Sequence, residues 1–218
     1  MLSVIVPSLN ASATIGACLA AVGNADEILV VDGGSSDNTV GIAERSGAAI
    51  IWSPRGRGIQ LHAGALAARG DWLLFLHADT MLAAGWREAA DLHIAARSGR
   101  VGFFRFRLDS ADWRASLVET GVALRAGLLK LPYGDQGLLI ARSLYEEIGG
   151  FRPLPLMEDV DLVRRIGRHR LTLLPVDAVT SAARWQRDGW LRRSARNLYC
   201  LLLYRAGISP DRLSEHYD

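Results

Sequence analysis

The chain has one lysine, Lys130, against 24 arginines, and its 25 basic and 23 acidic residues leave a net charge of only +2. So small an imbalance gives no reason to expect nucleic acid or a strongly acidic partner. Cysteine is nearly absent. Cys18 and Cys200 sit in apolar, helix-like surroundings, which suits two buried free thiols in a reducing cytoplasm rather than a disulfide framework. Long apolar runs are missing too: the longest candidate, residues 198–204, is far short of the ~20 residues a membrane span needs. No basic segment followed by an apolar stretch and a cleavage site opens the chain, so no signal peptide is expected. Repeats, low-complexity tracts and an interdomain linker are also lacking. Half of the 218 residues are hydrophobic, enough for a sizeable core. The expected organisation is one domain over residues 1–218, with 185–218 as a helical extension.

Several catalytic signatures are absent as well. There is no GxxxxGK[ST] phosphate loop. Gly56-Arg57-Gly58 lacks the third glycine of a dinucleotide fingerprint and follows the third strand rather than the first. No nucleophile elbow occurs, which argues against a serine triad. His77-x-Asp79 could begin a zinc site, but no second cluster of His or Cys stands at ligand spacing.

What is present is an alternation of short apolar runs and helical periodicity. Strands are predicted at 2–7, 27–31, 48–52 and 72–76, with helices between them. The first helix carries Ile15, Cys18, Leu19 and Val22 on one face, with Asn10 or Ser12 as its cap. The second runs from a Ser36 cap to about Ser46. The third has Leu61, Ala65 and Leu66 inward. Such alternation predicts a parallel, three-layer α/β sheet. The second half differs. Residues 101–108 alternate as a half-exposed strand expected to pair antiparallel. Helices follow at 82–97, 111–129, 142–148 and 157–167, short strands at 138–141 and 171–176, and one basic amphipathic helix at 185–205.

The organising stretch is DWLLFLHADT, residues 71–80. An apolar run bounded by polar residues reads as a strand buried on both faces, which leaves Asp79 at its C-terminal end. Ligands of open α/β sheets bind at that edge, so Asp79 could hold a cation against a phosphate; the alternative is a helix N-cap. Asp32 ends the second strand beside Gly33 and Gly34. It could accept from a base or ribose, or simply close its own turn. Arg55 and Arg57 could grip a diphosphate or line a solvated turn. Glu158-Asp159 opens a late helix, where acids are favoured by the helix dipole even without a catalytic role.

SVIVPSLN, VDGGSSDNT, FLHADT and GGF…MEDVDL occur here in the order and spacing of glycosyltransferase family 2. The chain resembles that family from residue 2 to about 176. VDGGS, GRG-x-Q, YGDQG and MEDV make it most similar to the small "transferase 2, rSAM/selenodomain-associated" subgroup. The resemblance implies a GT-A fold, α/β and three-layered with a mostly parallel mixed sheet. It implies transfer of a sugar from a nucleoside diphosphate donor, with inversion, aided by Mg²⁺ or Mn²⁺. By the same resemblance Pro7, Asn10 and Asp32 line the base and ribose pocket; Arg55, Arg57, Gln60 and His77 are also expected on the donor side. Asp79 is implied as the metal carboxylate and Asp159, with Glu158 beside it, as the catalytic base. Gly134, Asp135 and Gln136 are implied to face the donor sugar or the acceptor. Three departures bear on donor identity and metal affinity more than on fold: Gly33 replaces a carboxylate, His77 replaces the first acid of the DXD motif, and His62 stands where the subgroup often has Asn.

Elementary chemistry is consistent with this. A cation at Asp79 would offset charge on a leaving diphosphate, and a carboxylate on the opposite side would take the acceptor's proton. Two rival functions remain. A sugar-phosphate nucleotidyltransferase usually wants a glycine-rich basic loop near its N-terminus, and residues 7–12 are neither. A catalytically weak nucleotide-binding protein would show no product from a labelled donor. Finally, Trp190, Leu191, Leu198, Leu201 and Leu202 can share a face of the C-terminal helix, with Arg187, Arg192, Arg193 and Arg196 around it. Such a face suits peripheral contact with an anionic membrane and a lipid-like acceptor, or equally packing against the chain's own domain or a dimer partner.

Overall fold

A computed structural model describes residues 1–97, 99–128 and 131–214. Lys130, the expected end of one helix at Leu129 and the last four residues of the predicted extension lie outside the described residues. In chain order the elements are β1 (Leu2–Ser8), α1 (Ile15–Ala21), β2 (Glu27–Asp32), α2 (Thr39–Arg45), β3 (Ala49–Trp52), α3 (Arg57–Ala67), β4 (Trp72–Phe75), β5 (Thr80–Leu82) and α4 (Trp86–Ala95). There follow β6 (Val101–Leu108), α5 (Trp113–Leu128), β7 (Leu138–Ala141), α6 (Arg142–Glu147), α7 (Glu158–Ile166), β8 (Leu171–Thr180), α8 (Ala183–Asp188), α9 (Trp190–Arg205) and α10 (Pro210–Ser214).

The eight strands among the described residues join one sheet in the order β3-β2-β1-β4-β7-β6-β8-β5. The first four are parallel, as their apolar runs predict. Alternation along β1 sends Ile5 to one face and Leu2, Val4 and Val6 to the other. The first face packs with Leu61 and Ala65 of α3 and with Leu162 and Ile166 of α7. The second packs with Ile15, Cys18 and Leu19 of α1 and with Trp86 and Ala90 of α4. Helices on both faces of a mixed sheet give the three layers expected.

Polarity then reverses. β7 runs antiparallel to β4 and to β6, and β8 runs parallel to β6. The expected antiparallel pairing of 101–108 therefore holds on one side only. Its first half is buried on both faces, Phe103 included, because it lies inside the sheet; only Arg105 and Arg107 reach solvent.

Other expectations need correcting. Residues 80–82 form β5, paired with β8, so the following helix starts at Trp86 rather than 82 and Asp79 caps nothing. β8 continues past 176 to Thr180: Pro175 sits where the β6–β8 register shifts, so the proline is absorbed by a bulge. Neither Asn10 nor Ser12 caps α1, and α2 begins at Thr39, beyond Ser36. Leu66 points outward. The single C-terminal helix is broken at Gly189, whose φ of 85° suits glycine. The predicted apolar face splits accordingly: Trp190 and Leu201 are buried, while Leu191, Leu198 and Leu202 are exposed. Arg193, expected at the rim, is buried over Trp185 and paired with Asp188.

Close packing of α3 on the sheet rests on Gly64. A Cβ there would collide with the branched methyls of Ile5 and Val31. Gly64→Ala is therefore expected to lower stability. Helix propensity favours alanine by about 1 kcal/mol, but overpacking a core typically costs about 1–3 kcal/mol. Urea unfolding should show a lower midpoint with an unchanged slope, and equal or greater stability would refute the tight contact.

Candidate active site

Strand direction decides which residues meet. β1, β2, β4, β6 and β8 all end at one edge of the sheet, and the reversed strands β5 and β7 begin there. That edge collects Ser8, Asp32, His77, Asp79, the 134–136 turn before β7, and Thr180.

At one end of the edge, the loop after β2 is held by its own polar groups. Asp32 is fully buried. One carboxylate oxygen accepts from the Gly34 and Ser35 backbone N–H at 2.9 and 2.7 Å. The other accepts from the hydroxyls of Ser35 at 2.5 Å and Ser8 at 3.1 Å. Burial pushes its pKa up, but these bonds outweigh burial and hold it below the usual carboxylate range. Asp32 thus shapes the loop. Gln60, reaching from α3, donates to the Ser8 and Val31 carbonyls, both at 2.8 Å. A Cβ on residue 33 would stand 3.0 Å from that amide, so Gly33 leaves room for the clasp. Asn10, with φ 50°, accepts from Ser36 N–H at 2.9 Å, while its own N–H donates to the Ser35 hydroxyl. Pro7 lies within β1 opposite Val31. Asn10, Asp32 and Gln60 are thus gathered at this end of the edge, and all three spend hydrogen bonds on the scaffold.

In the middle lie His77 and Asp79, between β4 and β5. Burial first, then the charges of Arg57 and Arg184, hold the His77 imidazole well below its usual pKa, so the ring is neutral at pH 7. Asp79 faces Arg184 of α8 at 3.6 Å, and its backbone carbonyl accepts from Ser181. Arg184 belongs to none of the sequence motifs; the path of β8 delivers it. The Cys18 thiol donates to the His77 carbonyl, and burial pushes its pKa up to about 12, so it is no nucleophile.

At the other end, the N-termini of α3 and α7 approach each other. Gly58 permits this, since a Cβ there would strike the Arg152 carbonyl and crowd Glu158. Arg57 pairs with the buried Glu158 at 3.2 Å. Burial raises the Glu158 pKa and neighbouring Asp159 adds to it, while Arg57 opposes both. Asp159 accepts from Gly134 N–H at 2.8 Å and from Val160 N–H at 2.7 Å. Gly134 sits against His77: a Cβ would fall 2.5 Å from the ring Nε2. A cavity of about 20 Å³, room for roughly one water, is lined in part by His77, Gly134, Glu158 and Asp159.

Gln136 is turned inward. It donates to the Phe104 carbonyl and accepts from Tyr133 N–H and from Arg125, which stacks on the Tyr133 ring. Asp135 differs, because its Oδ1 is buried with no hydrogen-bond partner. Arg55 is exposed at the loop before α3 and joins none of these contacts among the described residues.

A family model described as "Glycosyl transferase family 2" matches residues 3–111, half of the chain. The sequence is 39% identical over 84 residues to an uncharacterised glycosyltransferase of Mycobacterium tuberculosis, covering 38% of each protein. It is 38% identical over 96 residues to a PGL/p-HBAD biosynthesis glycosyltransferase of Mycobacterium bovis, covering 38% of this chain and 36% of the relative. The chain thus matches less than two-fifths of these relatives' length. Among solved structures, glucosyl-3-phosphoglycerate synthase from M. tuberculosis, in complex with Mn²⁺, UDP and glucosyl-3-phosphoglycerate, superposes with TM-score 0.67 at 21% identity. That match covers 95% of this chain and 80% of the other. S. aureus TarS gives 0.65 at 17% identity, covering 97% and 41%. Both share the GT-A fold with this chain.

Asp135 sets a pH dependence. Burial raises its pKa from 3.8 to about 6; Arg125 opposes this, while Asp159 and Asp79 add to it. The folded state then holds the proton more tightly than the unfolded state does. Stability is expected to fall as pH rises from about 4 through about 6, and the penalty persists above that. Asp135→Asn should abolish the penalty, gaining roughly 1–3 kcal/mol at neutral pH and nothing below pH ~4. Urea unfolding of both proteins across this window checks it, and parallel pH profiles would overturn it.

Proposed function

This chain belongs to glycosyl transferase family 2, and on that footing we propose that it moves a sugar from a nucleoside diphosphate donor to an acceptor hydroxyl or carboxyl, with inversion. The observation that carries the reading is the meeting of Asp79, neutral His77, Arg57, Arg184 and the Glu158-Asp159 pair at one sheet edge. Glucosyl-3-phosphoglycerate synthase, whose fold is the same, has been seen with Mn²⁺ and UDP.

The roles divide along the edge. The loops of Pro7–Asn10 and Asp32–Ser36 form the base and ribose side. Their internal hydrogen bonds hold backbone and hydroxyl groups ready for the nucleoside. Arg57 and Arg184 supply positive charge for the diphosphate, and Arg57 stands at the N-terminus of α3, where anions are favoured. Glu158 positions Arg57 through their ion pair.

A divalent cation, Mg²⁺ or Mn²⁺, fits the chemistry of these donors. Among the described residues no group of three or more His, Cys, Asp or Glu forms a complete cage. A hard cation needs only one or two carboxylates when phosphate and water complete its shell. Asp79 would hold it, and the bound ion would offset charge on the leaving diphosphate.

The acceptor oxygen attacks the anomeric carbon from the face opposite the diphosphate. The bond from that carbon to the diphosphate oxygen breaks, and its electron pair leaves with the oxygen. The acceptor's proton passes to Asp159, whose carboxylate is steadied by two backbone N–H groups. Gly134 lies between this carboxylate and His77, and with Asp135 next to it in the chain it forms the sugar and acceptor side.

Two substitutions test the assignment. Asp79→Asn should fold normally but lose the Mn²⁺ dependence of donor binding. Calorimetry giving the wild-type metal dependence would remove Asp79 from that role. Asp159→Asn should bind donor as before and transfer sugar about 10²–10⁴-fold more slowly. A near-normal transfer rate would move the base to Glu158 or Asp135. Absence of product from every labelled nucleotide sugar, with donor still bound, would favour a nucleotide-binding protein instead.

A further inference from the structure

Thirteen large hydrophobic side chains are exposed among the described residues, and eight of them lie on α5 and α9. On α5, Trp113, Leu117, Leu124 and Leu128 recur at spacings that keep them on one stripe. On α9, Leu191, Leu198 and Leu202 do the same, with Tyr199 beside them. Exposure reaches 71% at Trp113, 76% at Leu128 and 84% at Leu191. These are not frayed ends of a core. Each helix already buries its opposite face: Ala115 and Val118 of α5 pack with Trp190, and Cys200 and Leu201 of α9 pack with Met157 and Val160. The two helices touch, and Arg114 of one stacks over Trp190 of the other. Apolar surface concentrated in this way marks an interaction site.

Charge identifies the occupant. α9 carries no acid; its Arg192 and Arg205 are exposed and Arg196 is half-buried, while Arg193 is turned inward onto Trp185. The only acid of α5, Glu119, is engaged by Arg107 and the Leu108 N–H. Asp188, just before α9, is surrounded by Arg187, Arg193 and Arg196. A second copy of this chain would bring the same positive face against itself. A leucine and tryptophan stripe bordered by arginines instead complements the headgroup and acyl boundary of an anionic bilayer. No described helix is long and apolar enough to cross a membrane, so the contact would lie at the surface.

We propose that α5 and α9 dock the protein on an anionic lipid bilayer. The placement has a consequence for the reaction. α9 packs on α7, which begins with Glu158 and Asp159, and α5 reaches the 134–136 turn through Arg125 on Tyr133. Docking brings the acceptor side of the site toward the headgroups, so the acceptor is lipid-borne. This consequence rests on the glycosyltransferase reading; the docking does not.

The test is co-sedimentation of the full chain with vesicles of phosphatidylcholine alone and of phosphatidylcholine with phosphatidylglycerol, at low and high salt. Binding is expected only to the anionic vesicles and should weaken in high salt. Leu117→Gln combined with Leu198→Gln should reduce it at least about tenfold, because both positions lose apolar insertion. The variant should keep the wild-type unfolding temperature, since both side chains are exposed. Thermal shift with nucleotide sugars and Mn²⁺ on the same proteins separates the two readings: vesicle binding without donor stabilisation would sink the transferase reading and leave docking intact. Negligible binding to both vesicles would overturn the proposal. So would equal, salt-independent binding to both. A wild-type dimer that the double variant turns monomeric, with vesicle binding unaffected, would overturn it in favour of a second copy.

Discussion

The reversal of strand direction at β7 is the constraint on which the site depends. Four parallel strands alone would deliver only Ser8, Asp32, His77 and Asp79 to their common edge. Because β7 enters antiparallel beside β4, the chain that leads into it must start from that same edge. The 134–136 turn is thereby set against His77 and Asp159. β6 and β8, flanking and following β7, then finish at the edge as well. The stretch after Thr180 crosses in front of Asp79 and sets Arg184 beside it.

The electrostatics follow from that convergence. Three carboxylates, Asp79, Asp135 and Glu158, share a confined region with Arg57 and Arg184, and Asp159 is fixed by backbone donors. Each acid is treated differently. Asp79 has an arginine at the edge of ion-pair distance. Glu158 is buried and paired. Asp135 keeps an unpartnered oxygen, and its pKa rises to about 6. An incoming diphosphate would find cationic side chains whose present partners are carboxylates. Such a site exchanges one set of ion pairs for another rather than exposing bare charge, which limits the desolvation cost of both states.

The scaffold also explains why several polar residues of the motifs point inward. A loop that must approach a ligand closely has to be rigid without a ligand. Asp32 accepts from two backbone N–H groups and the Ser35 hydroxyl of its own turn and from the Ser8 hydroxyl at the end of β1, and Gln60 satisfies two strand-end carbonyls. Gln136 does the same for the turn before β7. These residues shape the site through the backbone. Their burial means that removing one would leave orphaned polar groups, each costing roughly 1–3 kcal/mol.

Local pattern determined a good deal. Apolar runs named the four parallel strands, because a strand buried on both faces must be apolar throughout. The acids at strand and helix ends, and the glycines beside them, marked Asp32, Asp79 and Glu158-Asp159 by local pattern alone. Helix periodicity found α1, α3 and α7. What it could not carry was anything set by a distant partner. β5 is three residues long and exists because β8 lies beside it; β8 itself runs on past the predicted end at 176 to Thr180, with a bulge against β6 at Pro175. Leu66 looked inward and Arg193 outward, and packing reversed both. The C-terminal stripe was visible as a pattern, yet which leucines face out was decided by Met157, Val160 and the break at Gly189. Arg184 meets Asp79 across more than a hundred residues of chain. Periodicity reports which residues lie on one face of an element. Which face is covered, and by what, is fixed only when elements far apart in sequence compete for the same buried surface.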